Sequence, residues 1–210
     1  MKSLLALSIA GLVGLSVAII GPVAFGQQPA TRDLRAPVDF ASIQDRTQRS
    51  VALFEEAGKV ITHPRCANCH PAGDRPSQGM DMHPHNPPVV RGEGNMGAPG
   101  LQCTTCHGEK NAAIPTSSIR SIPGNPQWHL APVEMAWQGK SLGAICEQIK
   151  DPARNGGRDL AKIHEHMASD DLVGWGWNPG DGREPAPGTQ ARFGEIIQAW
   201  IDTGAACPKP

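Results

Sequence analysis

A five-residue motif of cysteine and histidine occurs twice in this chain and limits what it can fold into more than any other feature. The first copy reads Cys66-Ala67-Asn68-Cys69-His70, and the second reads Cys103-Thr104-Thr105-Cys106-His107. Both have the spacing C-x-x-C-H, the attachment signature of c-type haem. The two intervening residues let both thiols reach one edge of a porphyrin, where each can form a thioether with a vinyl group. The histidine that follows is then placed to bind the iron as its proximal ligand.

The motifs therefore predict two covalently bound haem c groups. The residues predicted to bind them are Cys66, Cys69, His70, Cys103, Cys106 and His107. Among these, His70 and His107 are the predicted proximal iron ligands, because each directly follows the second cysteine of its motif.

Three other uses of paired cysteines compete with haem. Zinc modules usually separate their cysteine pairs by about 15–20 residues, whereas 33 residues lie between Cys69 and Cys103. Thioredoxin-like redox chemistry is found beside a βαβ pattern, which this sequence lacks. Structural disulfides would leave the repeated histidine without a role. We therefore favour haem over these alternatives.

The first residues have the pattern of an export signal. Met1-Lys2 is followed by an apolar run at 4–20, and Ala24-Phe25-Gly26 offers small residues where a signal peptidase reads. We predict a signal peptide at 1–26, cleaved after Gly26, and a periplasmic protein. Haem attachment takes place there, and disulfides persist there. The alternative is an uncleaved anchor near the lower length limit for a membrane span, and we expect membrane association only in that case.

Composition narrows the class of fold and of partner. The net charge of −1 argues against a nucleic-acid partner, which would need a basic surface. The 24 glycines and 20 prolines predict many turns and little regular sheet. With no tyrosine and four phenylalanines, the protein core would be thin, and two porphyrins would supply apolar surface. We expect a mainly α fold with extensive irregular loops and few or no strands, arranged as a compact dihaem cytochrome c-like domain.

Helical periodicity is confined to a few segments. We predict helices at 45–61, 134–150, 157–168 and 190–203, the last with a clear apolar stripe. Segment 71–100 has no periodic pattern and is too short to complete one haem domain before the next begins. We therefore predict a single domain at 45–210 that carries both haems, preceded by an arm at 27–44 on the surface.

Two cysteines lie outside the motifs, Cys146 and Cys207. Because the predicted compartment is oxidising, we expect them to form a disulfide. The alternative is a pair of buried free thiols.

The chain resembles a family of dihaem c-type cytochromes often labelled as a subunit of isoquinoline 1-oxidoreductase. The resembling stretches are residues 63–71, 128–132, 149–157, 172–177 and 204–208. In related periplasmic systems, a cytochrome subunit takes electrons from a molybdenum hydroxylase. The resemblance thus implies that a periplasmic dehydrogenase or molybdenum hydroxylase is the electron donor, and that another cytochrome or an oxidase is the acceptor.

The sixth iron position decides the chemistry of each haem. Filled by His or Met, it leaves an electron carrier; left open, it suits a haem enzyme such as a peroxidase, or a gas sensor. Two candidates rank first: His129 lies in an apolar setting between Trp128 and Leu130, and the resemblance favours His166. The reserve candidates are Met135, His83 and His85. No catalytic residue pair stands out, and we do not expect an enzyme acting on its own.

Overall fold

A computed structural model describes residues 33–114 and 121–210. The signal peptide predicted at 1–26 and its cleavage site lie outside the described residues. The described residues all belong to one compact unit that spans 31–210, the second of two in the chain. This second unit is mainly helical with a few very short strands, which confirms the mainly α prediction. Within the described ranges, no helix has the length and apolar character needed to cross a membrane.

The described residues form six α-helices and several long irregular segments. Their bounds are α1 Arg46–Ile61, α2 Pro64–Ala67, α3 Leu142–Lys150, α4 Leu160–Ser169, α5 Asp171–Gly174 and α6 Gln190–Asp202. Short 3-10 turns lie at Pro37–Phe40, Glu93–Asn95, Cys103–Thr105, Val133–Met135 and Trp175–Trp177.

Within the part of the chain that the structure describes, the strands form three separate antiparallel pairs, and each strand is two residues long. They are β1 Ser77–Gln78 with β2 His83–Pro84, β3 Gly97–Ala98 with β4 Leu101–Gln102, and β5 Ala112–Ala113 with β6 Ser121–Ile122. Each pair only holds the two ends of a loop together, because a two-residue strand is too short to build a sheet with a buried face.

The predicted first and last helices are confirmed nearly to the residue. Helix α1 starts after Asp45, whose carboxylate accepts from the backbone N–H of Gln48. Helix α6 starts after Thr189, whose hydroxyl accepts from the N–H of Arg192. Side-chain caps of this kind satisfy otherwise unpaired N–H groups in the first turn.

The two middle helices are shorter at their starts than periodicity predicted. The prediction of a helix from residue 134 is wrong for its first half, because α3 begins only at Leu142, capped by Ser141. Gly139 has φ +74, a left-handed conformation that interrupts a right-handed helix. Helix α4 likewise starts at Leu160 rather than 157, capped by Asp159.

The apolar core lies among α1, α3, α4 and α6. Phe54 of α1 packs on Trp200 of α6 with ring centres 4.9 Å apart, and both are fully buried. The predicted disulfide is confirmed: Cys146 of α3 is joined to Cys207, which follows α6. Closing a loop of this length stabilises a fold by roughly 4 kcal/mol on the chain-entropy model.

The described part of the predicted arm is packed into the core rather than lying only on the surface. Leu34 and Phe40 are buried and belong to the core cluster. Arg35 donates from its backbone N and from Nε to the two carboxylate oxygens of Glu56, at 3.0 and 2.9 Å. Two apolar side chains and one buried carboxylate thus fix this segment to α1.

Candidate haem-binding sites

The first motif begins where α1 ends. His63 caps the one-turn helix α2, its Nδ1 accepting from the N–H of Arg65 at 3.2 Å. Cys66 lies in α2 and Cys69 directly after it, and the N–H of Cys69 donates to the carbonyl of Cys66 at 3.1 Å. A single helical turn therefore brings the two thiols to the same side, as attachment to one porphyrin edge requires.

A cavity of about 400 Å³ borders this motif. Its volume falls in the range of typical ligand pockets. Its walls include the two cysteines and the histidine of the motif and three of the predicted distal candidates, namely Cys66, Cys69, His70, His129, Met135 and His166. The cavity thus brings the predicted attachment residues together with three candidate ligands.

The ring of His70 is held in one orientation. Its Nδ1 donates to the backbone carbonyl of Met135 at 2.7 Å, and its face stacks on Trp137 with ring centres 3.6 Å apart and planes 4° apart. Burial lowers the pKa of His70 to about 4, so the ring is neutral at pH 7. A neutral imidazole that donates from Nδ1 keeps the lone pair of Nε2 for a metal. No described residue makes a hydrogen bond to that Nε2.

The second motif repeats this arrangement in a different backbone setting. His107 donates from Nδ1 to the carbonyl of Pro123 at 2.8 Å and stacks on Trp128 with ring centres 4.6 Å apart. Burial also lowers the pKa of His107. Both motif histidines therefore share a carbonyl on Nδ1, a tryptophan against the ring face and an uncommitted Nε2.

The second site is more open than the first. The second motif does not line the 400 Å³ cavity, and Cys106 is exposed. Most of the exposed large apolar side chains of the described residues lie in the segment leading to this motif, namely Met80, Val90, Met96 and Leu101. A porphyrin bound at the second motif would offer such side chains an apolar partner.

Two of the predicted distal ligands meet at the first site. His166, on α4, has Nδ1 at 3.3 Å from Oδ2 of Asp170, which leaves its Nε2 uncommitted. The pKa of His166 is lowered, chiefly by burial and against the effect of Asp170. His129 donates from Nδ1 to the carbonyl of Gln127. Both histidines lie on the cavity wall, and the charge of His166 would act on His70.

The three reserve candidates for the distal ligand differ in their positions and in the hydrogen bonds that they make. His83 is exposed and has both ring nitrogens engaged, Nδ1 with Asp81 at 2.7 Å and Nε2 with Gln78 at 3.1 Å, so no lone pair is left for iron. Met135 lies on the cavity wall, but its carbonyl holds the proximal His70. The ring of His85 lies 6.0 Å from that of His107, centre to centre.

Arg65 is a cavity residue that sequence reasoning did not single out. Its side chain lines the cavity and is only 8 % exposed. Nε donates to the carbonyl of Glu184 at 2.6 Å, but within the described residues the two terminal nitrogens have no hydrogen-bond partner and no carboxylate lies within ion-pair distance. A buried cation is costly unless it is paired, and the propionates of a porphyrin are carboxylates. The guanidinium, held by the Glu184 carbonyl and 6.0 Å from the ring centre of Trp175, could therefore pair its terminal nitrogens with such a carboxylate. Its position just before Cys66 was the only signal in the sequence.

The two sites adjoin each other. Trp128 stacks on His107 and also lines the cavity of the first site. The N–H of Ala131, three residues later, donates to the carbonyl of Cys69 at 3.0 Å. Burial raises the pKa of Cys69 to about 11, and the Cys103 thiol adds to that rise. Stacking, hydrogen bonding and electrostatics all link one motif to the other.

A site built only from protein ligands is not found in the described ranges. There, no group of three or more His, Cys, Asp or Glu side chains is placed to hold one metal ion. Structural zinc needs four protein ligands, so the zinc alternative finds no support in this part of the chain. Haem iron places no such demand, because the porphyrin fills four of its six positions.

Comparisons with known proteins identify no family. No protein-family model matches the chain. No curated protein and no solved structure matches it either. The resemblance drawn from the sequence stretches therefore remains a hypothesis, and the function is argued from the geometry.

Proposed function

We propose that this protein is a periplasmic dihaem c-type cytochrome that carries electrons from a partner dehydrogenase toward the respiratory chain. One observation carries the proposal: in both C-x-x-C-H motifs the histidine donates Nδ1–H to a distant backbone carbonyl, Met135 for His70 and Pro123 for His107. Metal-binding histidines typically donate their other ring N–H in this way, which fixes the tautomer and the ring direction.

The first haem would be held by Cys66, Cys69 and His70, and the second by Cys103, Cys106 and His107. When bound, each haem supplies a reversible one-electron couple at its iron. The protein's own residues orient the proximal rings and place a cation at Arg65. The more exposed second site is the better point for exchanging electrons with a partner, since its motif reaches the surface.

For the first haem we favour His166 over His129 as the distal ligand. Asp170 binds Nδ1 of His166 and directs Nε2 away from itself, as carboxylates do for many metal-binding histidines. Helix α4 also gives His166 a more rigid support than the loop that carries His129. With His166 in the sixth position, the first haem would transfer electrons, whereas an open position would suit the peroxidase-like and gas-sensor alternatives.

The donor and acceptor follow from the resemblance alone. A periplasmic molybdenum hydroxylase or a related dehydrogenase would supply electrons, and another cytochrome or an oxidase would accept them. Capture of the full-length haem-loaded protein from native periplasm, with its partner identified by mass spectrometry, tests this assignment.

The first test of the function is covalent haem. Produced with a haem-attachment system in the periplasm, the denatured protein is expected to keep its colour through acid–acetone extraction and to carry the mass of two haems. The double variant C103A/C106A should keep one haem. The matched control T104A/T105A, in the same motif, should keep both. Extraction of all haem from the unmodified protein would overturn the proposal.

A further inference from the structure

We propose that His85 is the distal ligand of the second haem iron, opposite His107, so that this iron has two histidine ligands. The inference rests on the proposed function, since it assumes that haem is attached at the second motif. It assigns a residue that the sequence alone placed in reserve.

The separation of the two rings fits this role. The ring centres of His85 and His107 are 6.0 Å apart, with planes inclined by 62°. Metal–imidazole bonds are about 2 Å long, so two imidazoles on opposite sides of one metal hold their ring centres roughly 6 Å apart. Two rings in edge-to-face contact also have this separation and inclination, so the assignment depends in addition on which ring nitrogens are free.

Both rings also present the same free nitrogen. His85 donates from Nδ1 to the carbonyl of Pro87 at 2.8 Å, and His107 donates from Nδ1 to the carbonyl of Pro123 at 2.8 Å. No hydrogen bond from a described residue reaches Nε2 of either ring. A matching pair of carbonyl-bound imidazoles with two unused Nε2 atoms is what an iron between them would need.

The backbone around His85 is fixed by the first motif. Its N–H donates to the carbonyl of Pro76 at 3.0 Å, directly after the β1–β2 pair. That hairpin is bonded to Asn68, which donates to the carbonyl of Gly79 at 2.9 Å and accepts from the hydroxyl of Ser77 at 2.8 Å. Asn68 lies between the cysteines of the first motif, so the first motif positions a ligand for the second haem.

Two nearby side chains are the competitors. His83 lies two residues earlier, but Asp81 and Gln78 occupy both of its nitrogens, which makes it a matched control. Met96 is exposed, and its carbonyl accepts from the N–H of Cys103 at 2.8 Å. A methionine ligand would give the ferric protein a near-infrared sulfur–iron band that a pair of histidines does not give.

The test uses ferric absorption and electron paramagnetic resonance spectra of the haem-loaded full-length protein. We expect two low-spin haems without a sulfur–iron band. In His85→Ala, half of the haem should become high-spin and should bind carbon monoxide after reduction, and added imidazole should restore the low-spin form. His83→Ala should match the unmodified protein. Covalent haem is counted in each sample, so absence of haem, which would contradict the function, is distinct from failure of the ligand assignment.

A second variant keeps the test informative if His85→Ala folds poorly. His85→Met should stay fully low-spin, gain a sulfur–iron band and show a higher reduction potential for one haem, because a methionine ligand raises it. The inference is overturned if His85→Ala remains entirely low-spin with two haems bound. A sulfur–iron band in the unmodified protein that disappears in Met96→Leu would also overturn it.

Discussion

The histidines of this protein differ in which of their ring nitrogens already makes a hydrogen bond. His70 and His107 each donate from Nδ1 to a carbonyl that is distant in sequence, and His85 donates from Nδ1 to a carbonyl two residues away. His83, close to His85 in sequence, has neither nitrogen free. Spacing in the sequence predicts the proximal ligands because attachment requires C-x-x-C-H. It gives less guidance on the distal ligands, because which ring nitrogens are free depends on contacts that no local pattern encodes.

Charge at a single residue should tune the first haem. Arg65 is buried beside the cavity, and no carboxylate of a described residue lies within ion-pair distance of it. A cation favours the reduced iron, which carries one positive charge fewer. Arg65→Gln should therefore lower the reduction potential of the first haem by tens of millivolts, where about 59 mV is a tenfold change in a one-electron equilibrium. Spectroelectrochemical titration measures this shift.

Two matched variants show whether the effect is one of charge at this position. Arg65→Lys keeps the cation and should recover most of the potential. Arg154→Gln removes an arginine that is paired with Asp151 on the surface, at 2.7 Å, and should leave the potential nearly unchanged. An equal shift in Arg65→Lys and Arg65→Gln would contradict the assignment.

At the scale of elements, the sequence was informative where local signals decide the structure. The apolar stripe and caps locate α1 and α6, whereas Gly139 ended a helix that periodicity alone extended. The chain between the motifs could be predicted only as loop, because distant contacts place it. Arg91 is an example: it is buried and donates to the carbonyls of Pro71, Gly73 and Ala131. A sequence pattern does not reveal that one side chain bonds backbone carbonyls of separate segments.

The junction between the N-terminal segment and α1 should show a defined pH dependence. Glu56 is 2 % exposed; burial opposes its ionisation, but bonds from Lys59 and Arg35 outweigh this and lower its pKa below the usual 4.5. A carboxylate with a depressed folded pKa adds stability above about pH 4.5, and that stability is lost as pH falls through the folded value. Glu56→Gln should cost roughly 1–3 kcal/mol at pH 7, and the difference should shrink below pH 4.5.

Thermal unfolding of the haem-loaded protein across pH 3–7 tests this junction. Glu55→Gln is the matched control, because Glu55 is adjacent on α1 but exposed. It should change the melting temperature little at any pH. A Glu56→Gln deficit that stays constant down to pH 3 would show that lost packing, rather than lost charge pairing, causes the destabilisation.

Across the unit formed by residues 31–210, the two motifs share one set of supporting contacts. Trp128 lies against both sites, and Asn68 of the first motif anchors the hairpin that carries His85. The first motif also accepts a hydrogen bond from Ala131, in the loop that follows Trp128. Neither candidate haem site is therefore structurally independent. On the proposed function, this arrangement suits a conduit in which an electron enters at one haem and leaves at the other.

Adjoining haems should influence each other's reduction. Charges about 10–15 Å apart interact by roughly 1–2 kcal/mol at an effective dielectric constant of about 20, or about 50–70 mV for one electron. The single-haem variants C66A/C69A and C103A/C106A should each titrate as one simple wave. The unmodified protein should deviate from the sum of those two waves by about that amount, because reducing one haem disfavours reducing the other. T104A/T105A should titrate like the unmodified protein, whereas a titration of the unmodified protein that equals the sum would show that the haems act separately and that each needs its own partner.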